Sequence, residues 1–156
     1  MSKALAALQD RTFARATRAT AAAYPPDQRL TGVQLGRYLD RRTFAVVGST
    51  RPDGRPHAAI SSYVRRETAF WLPTVTGSVR ERNIRAQPRV TLVVTEGDRG
   101  EHVVVIAEGP AVAVAPAEVP ADVRSAAGGN WAGAWLRVQA DRLLSYGSPQ
   151  ALLDEP

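Results

Sequence analysis

The sequence predicts a mainly β fold, a small closed barrel with helices at its N-terminus and one helix inserted midway. Three observations carry this. After Arg42 the chain runs in short apolar segments separated by clusters of Gly, Pro, Asp and Arg. Before that point, residues 3–23 are rich in Ala and contain no Pro, which favours helix. Midway, a polar Gly-containing loop and a helix-forming run, 74–84, interrupt the β pattern.

In order, the helical segment 3–23 ends at Tyr24-Pro25-Pro26-Asp27. A second helix is signalled by Thr31 as N-cap, with Leu35, Tyr38 and Leu39 on its apolar side. Thr43–Thr50 reads as the first strand, 51–56 as a turn, and His57–Val64 as the second strand. Arg65–Thr68 reads as a turn and Ala69–Leu72 as the third strand. After the inserted helix come Val90–Thr95 and His102–Val114, then an irregular or helical connection marked by Pro116, Pro120, Gly128 and Gly129. Trp135–Ala140 and Leu143–Tyr146 close the set of six or so strands. Residues 1–30 form an N-terminal helical extension and 31–156 the barrel domain.

A chain of 156 residues can bury a core without staples. Its lack of Cys excludes disulfides, thiolate metal sites and Cys nucleophiles, and two distant His make a metal site an unfavoured reading. The apolar run Met1–Leu8 turns polar at Gln9-Asp10-Arg11, too soon for a signal peptide, and nothing later approaches a membrane span. A cytoplasmic protein is expected.

The formal charge is +5, and nineteen of the 20 basic residues are Arg. A genome bias towards Arg and Ala codons explains the total; the distribution is more informative. Seven Arg fall between Arg55 and Arg89 against Glu67 and Glu81, which suits an anionic ligand or a nucleic acid. Arg11, Arg15 and Arg18 share one face of the first helix, solvated or available to an anion.

No G-x-S-x-G elbow, H-E-x-x-H or P-loop is present, and no carboxylate pair stands out. Any enzymatic reactivity is therefore expected from a cofactor. The best candidate site is 74–84: hydroxyls at Thr74, Thr76 and Ser78, flexible Gly77, then Arg80 at a helix start, a set suited to phosphate.

These residues also carry a resemblance. Asp53-Gly54-Arg55-Pro56-His57, a strand, a second strand ending in Thr74, then the run Ser78-Val79-Arg80 through Pro88-Arg89-Val90, are similar to the pyridoxamine 5′-phosphate oxidase-like split β-barrels. Leu136-Arg137-Val138 and Leu143–Gly147 fit as well, so the likeness spans about residues 31–147. It implies a six-stranded split barrel that dimerises with itself and holds FMN or the deazaflavin coenzyme F420 between subunits. The implied activity is hydride transfer with a small organic substrate.

The resemblance assigns Ala58, Ile60, Ser61 and Ser62 to the strand beside the cofactor ring. It assigns Pro73 and Thr74 to the ribityl-phosphate, and Ser78, Val79 and Arg80 to the phosphate clamp. His102 corresponds to a residue reaching the ring from the second subunit, and Tyr146 to an aromatic neighbour. His57 and Tyr63 are the candidate proton donors. Two family cations are replaced, by Ala58 and Val79, which leaves Arg80 alone in the clamp and modestly favours the singly charged phosphodiester of F420 over the monoester of FMN. Arg82, Arg85 or the Arg11/Arg15/Arg18 face would suit the F420 polyglutamate tail. The family's C-terminal Arg-x-His-Arg substrate clamp has no counterpart, so pyridoxamine phosphate is not expected as substrate.

Trp131 and Trp135 flank a Gly-rich segment and are either core or interface aromatics, or a lid over the ring. Two other readings stay open: a non-catalytic carrier or sensor of a flavin, deazaflavin or haem, and a nucleic-acid-binding barrel. The latter lacks a row of exposed aromatics for base stacking.

Overall fold

A computed structural model of the chain describes residues 2–128 and 130–153; Met1, Gly129 and the last three residues lie outside it. The first helix is two, not one. α1 (Ser2–Ala14) ends before Thr17, whose side chain accepts the Thr20 N–H and starts α2 (Arg18–Ala23) afresh. Arg18 therefore starts a new helix instead of continuing the face of Arg11. α3 (Gly32–Arg41) opens with a full capping box, Thr31 with Gln34.

Eight strands follow, where the sequence marks out seven segments for its six or so strands: β1 (Phe44–Thr50), β2 (Pro56–Ser62), β3 (Val64–Arg66), β4 (Ala69–Thr74), β5 (Arg89–Gly97), β6 (His102–Val114), β7 (Ala134–Gln139) and β8 (Arg142–Gly147). The extra strand arises because the run 57–64 breaks at Tyr63. Its first part pairs with β1, and its second, extending through Arg65-Arg66, pairs with β4. α4 (Val79–Ala86) is the expected inserted helix; α5 (Ala121–Ala126) lies in the β6–β7 connection, and α6 (Pro149–Leu153) follows β8.

All strand pairs are antiparallel, in the order β2-β1-β5-β6-β7-β4-β3, with β8 also on β6. The sheet curls because two chain segments change partners. β2 and β3 join the opposite edges, and β6 pairs with β8 through residues 103–108 and with β7 through 111–114. Between those halves sits Gly109, where an added Cβ would lie 2.0 Å from the Gln139 carbonyl oxygen. Only Gly lets the two backbones approach this closely.

The barrel interior is filled by alternate residues such as Val47, Leu92, Val105 and Leu143, with Phe70, Leu72 and Leu136 from the other sheet. α1 and α3 seal it through Leu5, Leu8, Leu35, Tyr38 and Leu39, each fully buried aliphatic side chain adding about 1.5–3 kcal/mol. α1 and Leu30 are thus fastened to the barrel, whereas α2 between them buries no residue. The Gln9 side-chain carbonyl accepts from the Ser145 hydroxyl, and the Leu30 N–H donates to the same hydroxyl at 2.9 Å. A second, smaller core of Val64, Trp71, Val119, Val123 and Trp135 lies under α5. Trp135 is core, 1% exposed.

Register aligns Ile60, Val46, Val93 and Ile106 in one row on the outer face of four strands, with Ile60 62% exposed and the other three half-buried; Leu144 continues the row but is only 5% exposed. Phe44 stands beside this row, 62% exposed. Among the described residues no helix is long and apolar enough to cross a membrane.

Candidate cofactor-binding site

The basic stretch from Arg55 to Arg89 resolves into pairs. Arg55 holds Asp53, Arg65 holds Asp40, Arg66 holds Asp122, Arg85 holds Glu81 and Arg89 holds Asp141, at 2.6–3.0 Å. Arg65 is the most committed: its side chain is 1% exposed and grips both Asp40 oxygens. That leaves Arg80 and Arg82 without a carboxylate among the described residues. The positive charge that the sequence spreads over 35 positions is focused on one turn of α4.

Arg80 is held in place by neutral oxygens. Its Nη1 donates to the Ile60 carbonyl at 3.1 Å, while Nε and Nη2 each lie 3.4 Å from the Thr74 hydroxyl. Partial burial lowers its pKa from the ordinary guanidinium value, yet Arg stays charged at any ordinary pH. A desolvated cation whose partners are all neutral is a receptor for an anion.

The loop around it is rigid. β4 ends at Thr74, 2% exposed; Gly77 turns the chain at φ +73°; and Ser78 caps α4 by accepting the Glu81 N–H at 3.3 Å. Glu81 reaches back to the Gly77 N–H at 2.7 Å and is gripped by Arg85 at 3.0 Å. The Arg85 hydrogen bond, with the Gly77 amide, holds the Glu81 carboxyl below the usual carboxylate range. This brace keeps the loop's geometry while leaving Arg80 uncommitted.

β2 borders the cradle. Its alternation places Ala58, Ile60 and Ser62 on the outer face and Ser61 on the inner one. Ile60 is 62% exposed, whereas Ser61 is buried and donates to the Ser62 carbonyl at 2.9 Å. The four strand residues thus line an edge and do not share a face. Pro73 is buried opposite Trp135 in the β4–β7 pairing, and Val79 faces away from Arg80, into a neighbouring cavity.

The two proton-donor candidates part company. Tyr63 is a core residue: its hydroxyl donates to the Leu39 carbonyl at 2.7 Å, its ring meets Phe70 edge-on, and burial drives its pKa well above 10. It does not reach the cradle. His57 does border open space, a cavity of about 580 Å³ shared with Ser49, Ala58, Thr91, Arg89 and Glu108. Its Nδ1 lies 3.5 Å from the Ser49 hydroxyl, which also accepts from the buried Asn83 amide at 3.0 Å. This His57–Ser49–Asn83 chain ties β2, β1 and α4 together. Ser49 and Asn83 escaped the sequence reading; a buried Ser in phase with Ala45 and Val47 on β1 carries no local sign that α4 lies over it.

His102 and Tyr146 stack, with centroids 5.3 Å apart. They sit six β5 positions from the Ala58 row, roughly 20 Å along the sheet, so within one chain they do not meet Arg80. Trp131 is 54% exposed, and its loop packs on the cradle loop: a Cβ on Gly133 would lie 2.6 Å from the Thr76 hydroxyl.

A curled antiparallel half-barrel with helices, α4 among them following β4, is the split-barrel class. The chain belongs to the pyridoxamine 5′-phosphate oxidase family, whose model matches residues 34–151. Among curated proteins none matches it. Among solved structures it is similar to the conserved hypothetical protein Rv2991 from Mycobacterium tuberculosis, with TM-score 0.68 and 21% identity over 85% of this chain and 93% of that one. It is also similar to HutZ, the haem storage protein from Vibrio cholerae, with TM-score 0.64 and 14% identity over 76% and 96%. A third is an FAD-binding protein from Mesorhizobium loti, with TM-score 0.60 and 16% identity over 77% and 95%.

Proposed function

We propose that this protein binds a flavin-type cofactor, FMN or the deazaflavin F420, and transfers a hydride between it and a small organic substrate. The carrying observation is Arg80, the half-buried guanidinium fixed by the Ile60 carbonyl and Thr74 and lacking a carboxylate. The donor set fits a phosphate: one fixed cation, the Thr74 and Ser78 hydroxyls, and the opening turn of α4. The fold-family likeness to an FAD-binding protein supports the same reading.

The cofactor, when bound, supplies the hydride chemistry. The protein's residues bind and orient: Arg80 neutralises the phosphate, and the outer edge of β2 from Ala58 to Ser62 positions the ring. His57, steadied by Ser49, holds a proton at the rim of the larger cavity. The half-exposed apolar row from Ile60 to Ile106, with exposed Phe44 beside it, supports a homodimer, because an apolar patch of this kind on a sheet face marks an interaction surface. The partner copy would bring His102 and Tyr146 towards the ring edge.

Titration with FMN and with F420, followed by flavin or deazaflavin fluorescence, tests the binding. Reoxidation of the bound reduced cofactor by an organic electron acceptor tests the transfer.

One observation favours a second reading. His102 is a half-exposed imidazole stacked on an aromatic, an arrangement suited to ligating haem iron, and HutZ shares the fold. A Soret band on adding haemin, lost in His102→Ala, would select haem carriage.

A further inference from the structure

One phosphate leaves unexplained a second basic cavity of about 300 Å³ on the flank of the same helix. It is walled by the β1–β2 hairpin and by the Val79, Arg82 and Asn83 side of α4. Val79 and Arg82 are the residues one before and two after Arg80, so the cradle and the cavity share a helical turn. The hairpin contributes Arg51, Asp53 and Arg55, and Arg55 already holds Asp53 at 2.9 Å. Arg51 and Arg82 face the space with no carboxylate among the described residues. The lining therefore carries three guanidinium groups against one carboxylate, with Val79 as an apolar wall.

We propose that this hairpin cavity receives a second anionic group of the cofactor, beyond the phosphate held by Arg80; this rests on the cofactor reading above. Two unpaired guanidinium groups that converge on one small cavity repel each other, and an anion between them relieves that repulsion. The volume is that of a compact ligand fragment rather than of a bare ion. Neutral or singly phosphorylated ligands leave the cavity unused. A second phosphate with its nucleoside, as in FAD, or the carboxylate tail of F420 would both answer the same chemistry. Arg51 and Arg82 are then specificity residues, setting the preference among flavin-type cofactors and not the hydride chemistry.

The test compares FMN, FAD and F420 on the full chain and on the double variant Arg51→Gln/Arg82→Gln, by fluorescence titration at low salt. The parent is expected to bind FAD or F420 more tightly than FMN, and whichever is tighter identifies the extension. The double variant is expected to lose about tenfold or more of that tighter binding while its FMN affinity changes by less than about twofold. Equal affinities of the parent for all three cofactors, or equal losses on FMN and on the longer cofactors, would overturn the second subsite and leave the Arg80 site standing. Failure of the parent to bind any of the three overturns both. A circular dichroism melt confirms that the double variant is folded.

Discussion

Thr12, on α1, accepts the backbone N–H of Leu143 in β8 at 3.0 Å and donates to its own helix at the Leu8 carbonyl, 2.8 Å away. Residues 131 positions apart in sequence are thereby joined in a dry setting, with Thr12 7% and Leu143 0% exposed. The strand's amide has no other partner, so the helix is part of the sheet's hydrogen-bonding account.

Thr12→Val, nearly equal in volume, leaves that amide unsatisfied. A loss of about 1–3 kcal/mol of stability is expected, read as a lower urea midpoint with an unchanged slope. Native-like affinity for FMN in the folded variant is expected, since Thr12 lies away from the cradle.

Arg80→Ala removes the cradle's charged donor. Loss of a charge-assisted hydrogen bond of roughly 1.5–3 kcal/mol weakens FMN and F420 binding by about 10- to 150-fold. Arg124→Ala, on the short α5 helix, is the matched control and leaves binding unchanged. Parent-like titrations for Arg80→Ala would displace the phosphate from this site.

Gly109→Ala puts a methyl group 2.0 Å from the Gln139 carbonyl oxygen, against the backbone of Gln139 and Ala140. Neither strand can yield cheaply, and a cost of about 1–3 kcal/mol or more follows. Melting temperature is the measurement; an unchanged value would mean that β6 does not bend as described.

Glu81 gives the cradle an acid limit. Its carboxyl pKa is lower in the folded protein than in the unfolded chain, chiefly through Arg85 and then the Gly77 amide. Its stabilisation is therefore complete above the unfolded value of about 4.3 and fades as pH falls through the folded one. Urea midpoints measured from pH 6 down to pH 2 should fall more steeply for the parent than for Glu81→Gln.

The proposed homodimer rests on the outer row. Parent protein at micromolar concentration should sediment as a two-fold dimer burying more than roughly 2,000 Å² in total. Ile106→Lys, which places a charge in the middle of the row, should sediment as a monomer. A monomeric parent would remove the second-subunit role of His102.

What was legible in the sequence was what is local. Thr31 with Gln34 announces its helix through a contact three residues long, and Gly77-Ser78 announces the start of α4 in the same way. The break at Tyr63 was not legible, because β-branched and polar residues run evenly through it; only the choice between β1 and β4 as partner divides the strand. The helix across 3–23 failed for a related reason: Ala-rich composition is permissive on both sides of Thr17, and a cap decides where one helix stops and the next begins. At the site, the Arg80 cradle was readable from residue types at close spacing. The neutralisation of its five neighbours was not, because three of the five acidic partners, Asp40, Asp122 and Asp141, come from distant segments.

Because β6 is hydrogen-bonded to β5 along one edge and to β8 and β7 in turn along the other, neither half of the barrel can detach without breaking it. Its central amides, from Val103 to Ala107, are expected to exchange with deuterium only through global opening. Cofactor should then slow them by its whole stabilisation of the fold, RT ln(1 + [L]/Kd), which turns this one strand into a gauge of occupancy.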